Sequence, residues 1–376
     1  MPKVLPTVSN VRRPAAINSL TSLRFIAALL VFIWHAPLPF EFNPHSLELG
    51  YVGVGFFYIL SGFILTYVYY QKVVSRKKGS IKKFYISRIA KIYPVHLLTF
   101  LASIPLVILT AQTIFGDHLK FKLLVTAFFN LTLMQAWIPK TNVNFSYNAV
   151  AWSISVEAFF YLLFPLIILV VYKFRTFFTL RNTVLVMVGL WLVCVAIYAP
   201  QITHVDDWKL YVFPLVRLPD FLVGIMLALI YEKSNKKKLF GVRISKRAAT
   251  AVEIAAVAAV VLGILLSQVM PQSLRFALWL MPSLAFVVFV FSYQKGRLSE
   301  LLNNKILIFL GEASFSFYMV HQLIIRYILQ LPISSWGAVV LSFVLATTVS
   351  GFLYAAYEEP IRLRLKVLLE KKFATR

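Results

Sequence analysis

The chain is short of charge, of acid and of cysteine. Only 14% of its 376 residues are charged and only 14 are Asp or Glu, against 38 Lys and Arg. A soluble domain carries about a quarter charged residues, so a water-soluble globule is excluded. Cys194 is the only cysteine, which rules out a disulfide framework or a cysteine-based metal site within one chain. H-E-x-x-H, G-x-S-x-G and P-loop patterns are absent, and the residues do not call for a metal. What is abundant is apolar: 60% of residues are hydrophobic and 15% aromatic, in runs of about twenty, the length with which a helix crosses a bilayer. The class this predicts is all-α, polytopic and embedded in a membrane.

A net charge of +24 suggests nucleic acid in a soluble protein. Here the distribution points to topology instead, because cytoplasmic loops of membrane proteins collect Lys and Arg. Ten spans are expected, near 17–36, 51–71, 92–113, 151–172, 182–199, 210–231, 248–268, 276–293, 306–329 and 338–358, with both termini cytoplasmic. On that reading inner segments hold 30 basic residues and outer ones 5, leaving Arg24, Arg217 and Arg326 inside spans. The stretch 121–138 is also apolar. Were it to cross, the Lys-rich loop 232–247 would lie outside, so it is read as a re-entrant or interfacial segment on the outer side. The first apolar run has no A-x-A-like cleavage site and contains Arg24, which marks a retained helix rather than a signal peptide. A single integral-membrane domain over 1–376 is expected, with no additional soluble domain.

Ionisable groups within spans are costly and are the first candidates for function. In LTSLRFIAALLVFIWH, Arg24 and His35 lie eleven residues apart. That is close to three helical turns, so both leave one face, about 16 Å apart along the axis. A fixed cation would stand near one membrane face and a base titrating near neutrality near the other. Taken alone, His35 beside Trp34 also suits a histidine satisfied at the headgroup interface; Arg24, deep in the span, needs a partner or a polar cavity. In KKFYISRIAKIYPVH, Arg88 and Lys91 share a helix face where the chain enters the membrane, an arrangement suited to phosphate. The other basic residues of the 72–91 loop are topological signal. Glu157 in WSISVEAFFYLLFP is an intramembrane carboxylate that pairs with Arg24, orients His35 or anchors its helix; a structural ion pair is the simplest reading. Arg217 and Asp220, three apart, are expected to pair with each other. His321 is either a second site residue or a satisfied core histidine, and its apolar setting favours the core. The glycines and Ser61 of GYVGVGFFYILSGF read as close helix packing.

With these blocks in hand, the chain resembles the acyltransferase-3 family of bacterial integral-membrane acyltransferases. LTSLRFIAALLVFIWH, GVGFFYILSGFILT, SRIAKIYP, WSISVEAFFYLLFP, RLPDFLVGI, LGEASFSFYMVH and the closing EEP resemble family blocks in order. The resemblance implies ten helices in the bacterial cytoplasmic membrane. It also implies transfer of an acyl group, usually acetyl from acetyl-CoA, to a hydroxyl of a cell-surface glycan or its lipid-linked precursor. The family's essential histidine falls on His35 and its basic residue on Arg24. The family's Arg-x-x-Arg falls on Arg88 and position 91, where this chain has lysine, which keeps the charge but loses the bidentate fork. Acyl-CoA is then a donor substrate rather than a resident cofactor. The partners are acyl-CoA, the glycan acceptor and membrane lipid, without nucleic acid. A glycan transporter or flippase, or a non-catalytic partner of a polysaccharide synthase, is the alternative; the inverted repeat often seen in transporters is absent from the sequence.

Overall fold

The computed structural model describes residues 15–38, 49–75, 79–115, 119–199, 208–236, 244–275 and 278–374, and among them there is no strand. Each long apolar run becomes a helix, since a helix satisfies its backbone groups internally where water is absent. In chain order the helices are α1 Asn18–His35, α2 Leu49–Val74, α3 Ser80–Phe115, α4 Leu119–Leu131, α5 Thr141–Asn144, α6 Trp152–Lys173, α7 Leu180–Tyr198 and α8 Pro214–Lys236. They continue as α9 Lys246–Ser267, α10 Gln272–Arg275, α11 Met281–Ser292, α12 Arg297–Leu302, α13 Lys305–Glu312, α14 Ser314–Ile328, α15 Ser335–Leu353 and α16 Glu359–Ala374. Side-chain caps start several of them: Thr179, Ser245, Asn304 and Ser334 each accept a backbone N–H of the first turn of α7, α9, α13 and α15.

Among the described residues, eight helical segments are long and apolar enough to span, and a ninth is reached if α13 and α14, bent by 66° to each other, are one broken span. The protein is a multi-pass membrane protein. All ten expected spans find a helical counterpart, but among the described residues of the one expected over 276–293 only the 12 of α11 are helical. That is about 18 Å of rise, short of a hydrocarbon core of about 30 Å. The third span begins well before the expected residue 92, at Ser80, so Arg88 and Lys91 lie within α3 instead of at its mouth. Basic side chains hide a helix start from hydropathy without disfavouring the helix itself. The 121–138 stretch does not cross: α4 has 13 residues and is followed by a turn and the 3₁₀ turn Gln135–Trp137.

α2 sits at the centre, with α1, α3, α6, α8 and α11 against it. Its contact with α8 is a backbone contact. A Cβ on Gly62 would lie 2.1 Å from the Phe221 carbonyl oxygen, and one on Gly224 would lie 2.0 Å from that of Ile59. Small residues permit this approach, and dispersion then holds helices that lipid would otherwise solvate equally well. Arg217 and Asp220 pair as expected, at 2.9 Å and with both side chains buried. The Arg217 guanidinium also lies over the rings of Tyr58 and Tyr211, at 5.2 and 5.1 Å. Glu253, a carboxylate buried in α9, has a capping role: it accepts the backbone N–H groups of Gly296, Leu298 and Ser299 and the Ser299 hydroxyl at the start of α12.

Candidate active site

Around α2 lie two adjoining cavities. The first, about 180 Å³, is lined by Arg24 of α1, Ser61 of α2, Arg88 and Lys91 of α3, and Glu157 and Tyr161 of α6. Four of the five residues singled out in the sequence therefore meet in one space, although they come from three helices. The fifth, His35, lines the second cavity, about 360 Å³, with Trp34, Tyr51, Trp152, Tyr211 and Gln322. The stripe on α1 thus serves both cavities: Arg24 faces one, and His35, three turns on, faces the other. Val54 and Tyr318 line both.

The charges in the first cavity are arranged unequally. Arg24 and Arg88 have no carboxylate partner among the described residues. Arg88 donates from Nη2 to the Tyr69 hydroxyl at 3.0 Å and from Nε to Ser87 Oγ at 3.3 Å, and its guanidinium lies near the rings of Tyr69 and Tyr161, at 5.2 and 5.7 Å. Lys91 instead forms an ion pair with Glu358, which is buried and also accepts the Ser316 hydroxyl at 2.6 Å. Its charge is thereby largely cancelled, while that of Arg88 is not. Glu157 takes up none of its expected ionic roles. It neither pairs with Arg24 nor orients His35; it accepts hydrogen bonds from the hydroxyls of Ser61 and of Tyr161, four residues on in α6. Ser61 is accordingly a cavity residue as well as part of a close-packed helix.

The second cavity is lined by one member of a histidine pair. His321, fully buried in α14, has its Nε2 3.2 Å from His35 Nδ1. The core reading of His321 is half right, since the ring is buried and satisfied, but what it meets is the other candidate histidine. The carbonyls around the pair settle the tautomers. His35 Nδ1 lies 2.9 Å from the Val31 carbonyl oxygen, and His321 Nδ1 lies 2.6 Å from that of Tyr318. A carbonyl only accepts, so for neutral rings both Nδ1 atoms carry the proton. His321 Nε2 then offers a lone pair to His35 Nδ1–H, and the lone pair of His35 is on Nε2. This is the arrangement of a base held by an orienting acceptor: the N–H side is fixed, and the opposite nitrogen takes a proton. A proton arriving on His35 Nε2 makes an imidazolium whose Nδ1–H already points at an acceptor.

Between the cavities, the Tyr318 hydroxyl lies 2.8 Å from Ser153 Oγ and 3.3 Å from the Val150 carbonyl oxygen. Tyr58 donates to the Ser153 carbonyl at 3.2 Å. Sequence reasoning overlooked Tyr318, Tyr161, Tyr69 and Glu358. Tyrosines are too common in membrane helices to stand out, and Glu358 drew notice only as part of the closing EEP.

Residues 17–355 match the acyltransferase domain family, acyltransferase-3. The chain is 30% identical to acyltransferase MdmB of Streptomyces mycarofaciens over 93% of its own length and 92% of that protein. It is 25% identical to O-acetyltransferase OatA of Staphylococcus aureus over 93% of its own length, but spans only 58% of that longer protein. A further relative, from Haemophilus influenzae, shares 32% identity over 49% of this chain and carries no assigned function. No solved structure matches the chain. A match over nearly the whole transmembrane region, with related proteins named as acyltransferases, places this chain in the acyltransferase-3 family.

Proposed function

We propose that this protein transfers an acyl group, acetyl from acetyl-CoA, to a hydroxyl of a cell-surface glycan or its lipid-linked precursor, in the bacterial cytoplasmic membrane. The observation that carries the reading is the meeting of two unlike cavities at one wall. One is lined by two arginines without carboxylate partners among the described residues, with the paired Lys91 beside them, and the other by His35, backed by His321. Acyl-CoA is anionic and long, and its phosphates suit Arg88, with Lys91 beside it as the weaker, already compensated cation. Arg24 extends the positive lining along α1 towards the thioester end. The excess of basic residues in the expected inner loops, 30 against 5, supports a donor side in the cytoplasm with His35 towards the outside.

Direct transfer balances without another reactant. The acceptor hydroxyl gives its proton to His35 Nε2, and its oxygen attacks the thioester carbonyl. The tetrahedral intermediate collapses, the carbon–sulfur bond breaks, and the proton on His35 passes to the CoA thiolate. The products are the ester and CoA–SH, and His35 is neutral again. His321 touches neither substrate in this scheme; it positions His35 and stabilises the imidazolium. The donor exists only inside the cell and the glycan only outside, so the site must join the two, and two cavities with shared lining residues support that.

The test is transfer of labelled acetyl from acetyl-CoA to membrane glycan by protein in lipid nanodiscs, read by mass analysis of the glycan. A gain of one acetyl per modified residue, lost in His35→Ala, is expected. Glycan that moves across the bilayer unacylated would show a transporter instead.

A further inference from the structure

The two cavities share Val54 and Tyr318, and that shared wall bears on which acyl group is used. We infer that Val54 and Tyr318 are the specificity-determining residues for the acyl chain and restrict it to a short one. The inference rests on the acyl-transfer reading above and deepens it.

The reacting carbonyl must lie within reach of a hydroxyl held by His35, while the rest of the donor lies among Arg24, Arg88 and Lys91. The residues common to both linings are therefore those beside which the thioester passes, and the substituent on its carbonyl meets the Val54 isopropyl group and the Tyr318 ring. The wall is stiff on both sides. The Tyr318 hydroxyl is held by Ser153 Oγ at 2.8 Å and by the Val150 carbonyl oxygen at 3.3 Å. The edge of its ring system packs with Phe57, centroids 6.0 Å apart. Val54 is buried and follows Gly53, where a Cβ would lie 2.5 Å from the Ala27 carbonyl oxygen, so α2 is pressed onto α1 and cannot move toward it to make room. A stiff apolar wall admits a methyl group and excludes additional methylenes by overpacking.

The experiment compares kcat/KM for acetyl-, propionyl- and butyryl-CoA in nanodisc-held wild type, Val54→Ala, Val54→Leu and Tyr318→Phe. Size-exclusion retention confirms that each variant is folded. Wild type should favour acetyl. Val54→Ala should raise the butyryl-to-acetyl ratio by about tenfold or more, since one methylene in an apolar pocket is worth roughly 10–200-fold. Val54→Leu should lower the propionyl-to-acetyl ratio. Tyr318→Phe, which keeps the ring but frees it from both hydrogen bonds, should relax the preference by less than Val54→Ala. A ratio that stays within about twofold of wild type in both Val54 variants, where a contact would move it about tenfold, overturns the wall while leaving acyl transfer standing. The Val54 pair decides the matter even if Tyr318→Phe misfolds. Wild type that transfers no acyl group from any of the three donors overturns the wall together with the reading beneath it.

Discussion

The two cavities beside α2 are built from opposite kinds of group. The first is a charge site. What its guanidinium groups offer is a positive field with fork-shaped donors. The second is a proton site. Its two imidazoles are linked ring to ring, and what they offer is a nitrogen that takes a proton and returns it. The same helix, α1, supplies Arg24 to one and His35 to the other. On the proposed reading, holding the donor and activating the acceptor fall to separate residues, so substitutions in the two should leave different kinetic signatures.

The largest effect is expected at His35. His35→Ala should cut kcat by roughly 10²–10⁴-fold, the usual share of a general base, with acetyl-CoA affinity unchanged in equilibrium binding. Because His35 must be neutral to accept a proton, wild-type activity should fall on acidification. A His35→Ala protein that also loses donor binding would merge the two sites into one. Next is His321→Ala. His321 shares the Nδ1–H of the imidazolium with the Val31 carbonyl, so its removal forfeits part of a charge-assisted hydrogen bond of about 1.5–3 kcal/mol, or up to roughly tenfold in rate. The acid limb of the kcat profile should move as well, with the donor KM unaltered, and His321→Asn, which retains an acceptor, should recover part of the rate. A purely structural role for His321 would lower the yield of folded protein and leave the pH profile of the survivors in place.

How much of this could be read from the chain depends on sequence distance. The spans were legible because each is a continuous apolar run, and the Arg217–Asp220 pair because its partners lie three residues apart on one helix. The Arg24–His35 stripe was legible for the same reason, since eleven residues on one helix have a fixed geometry. The partners of His35 and Lys91 were not, because His321 is 286 residues away and Glu358 is 267 residues away, and only helix packing brings them together. Glu157 misled for a different reason. Its partner Tyr161 is local, but the cost of a buried carboxylate points first to an ionic partner, and neutral hydroxyls were enough. The breadth of α3 was masked by its own basic residues, and the shortness of α11 by Leu278, Trp279 and Leu280 before it, which add hydropathy without belonging to the helix.

The smallest effects on activity, and the finest test of the contrast, lie within the charge site itself. Arg88 and Lys91 share a cavity and a helix face, yet only Lys91 is already paired. Arg88→Ala should raise the acetyl-CoA KM by about tenfold with kcat nearly unchanged, in line with loss of a single charge-assisted contact to phosphate. Arg88→Lys should recover only part of that affinity, because the ammonium lacks the fork. Lys91→Met should alter donor KM far less but cost about 3–5 kcal/mol of stability, since it strands Glu358 as a buried carboxylate. Glu358→Gln in the Lys91→Met background removes that stranded charge and should restore much of the thermal midpoint. If Lys91→Met instead weakens the donor as much as Arg88→Ala and leaves the midpoint alone, Glu358 does not hold the lysine back from the phosphates, and the two cations act as one clamp.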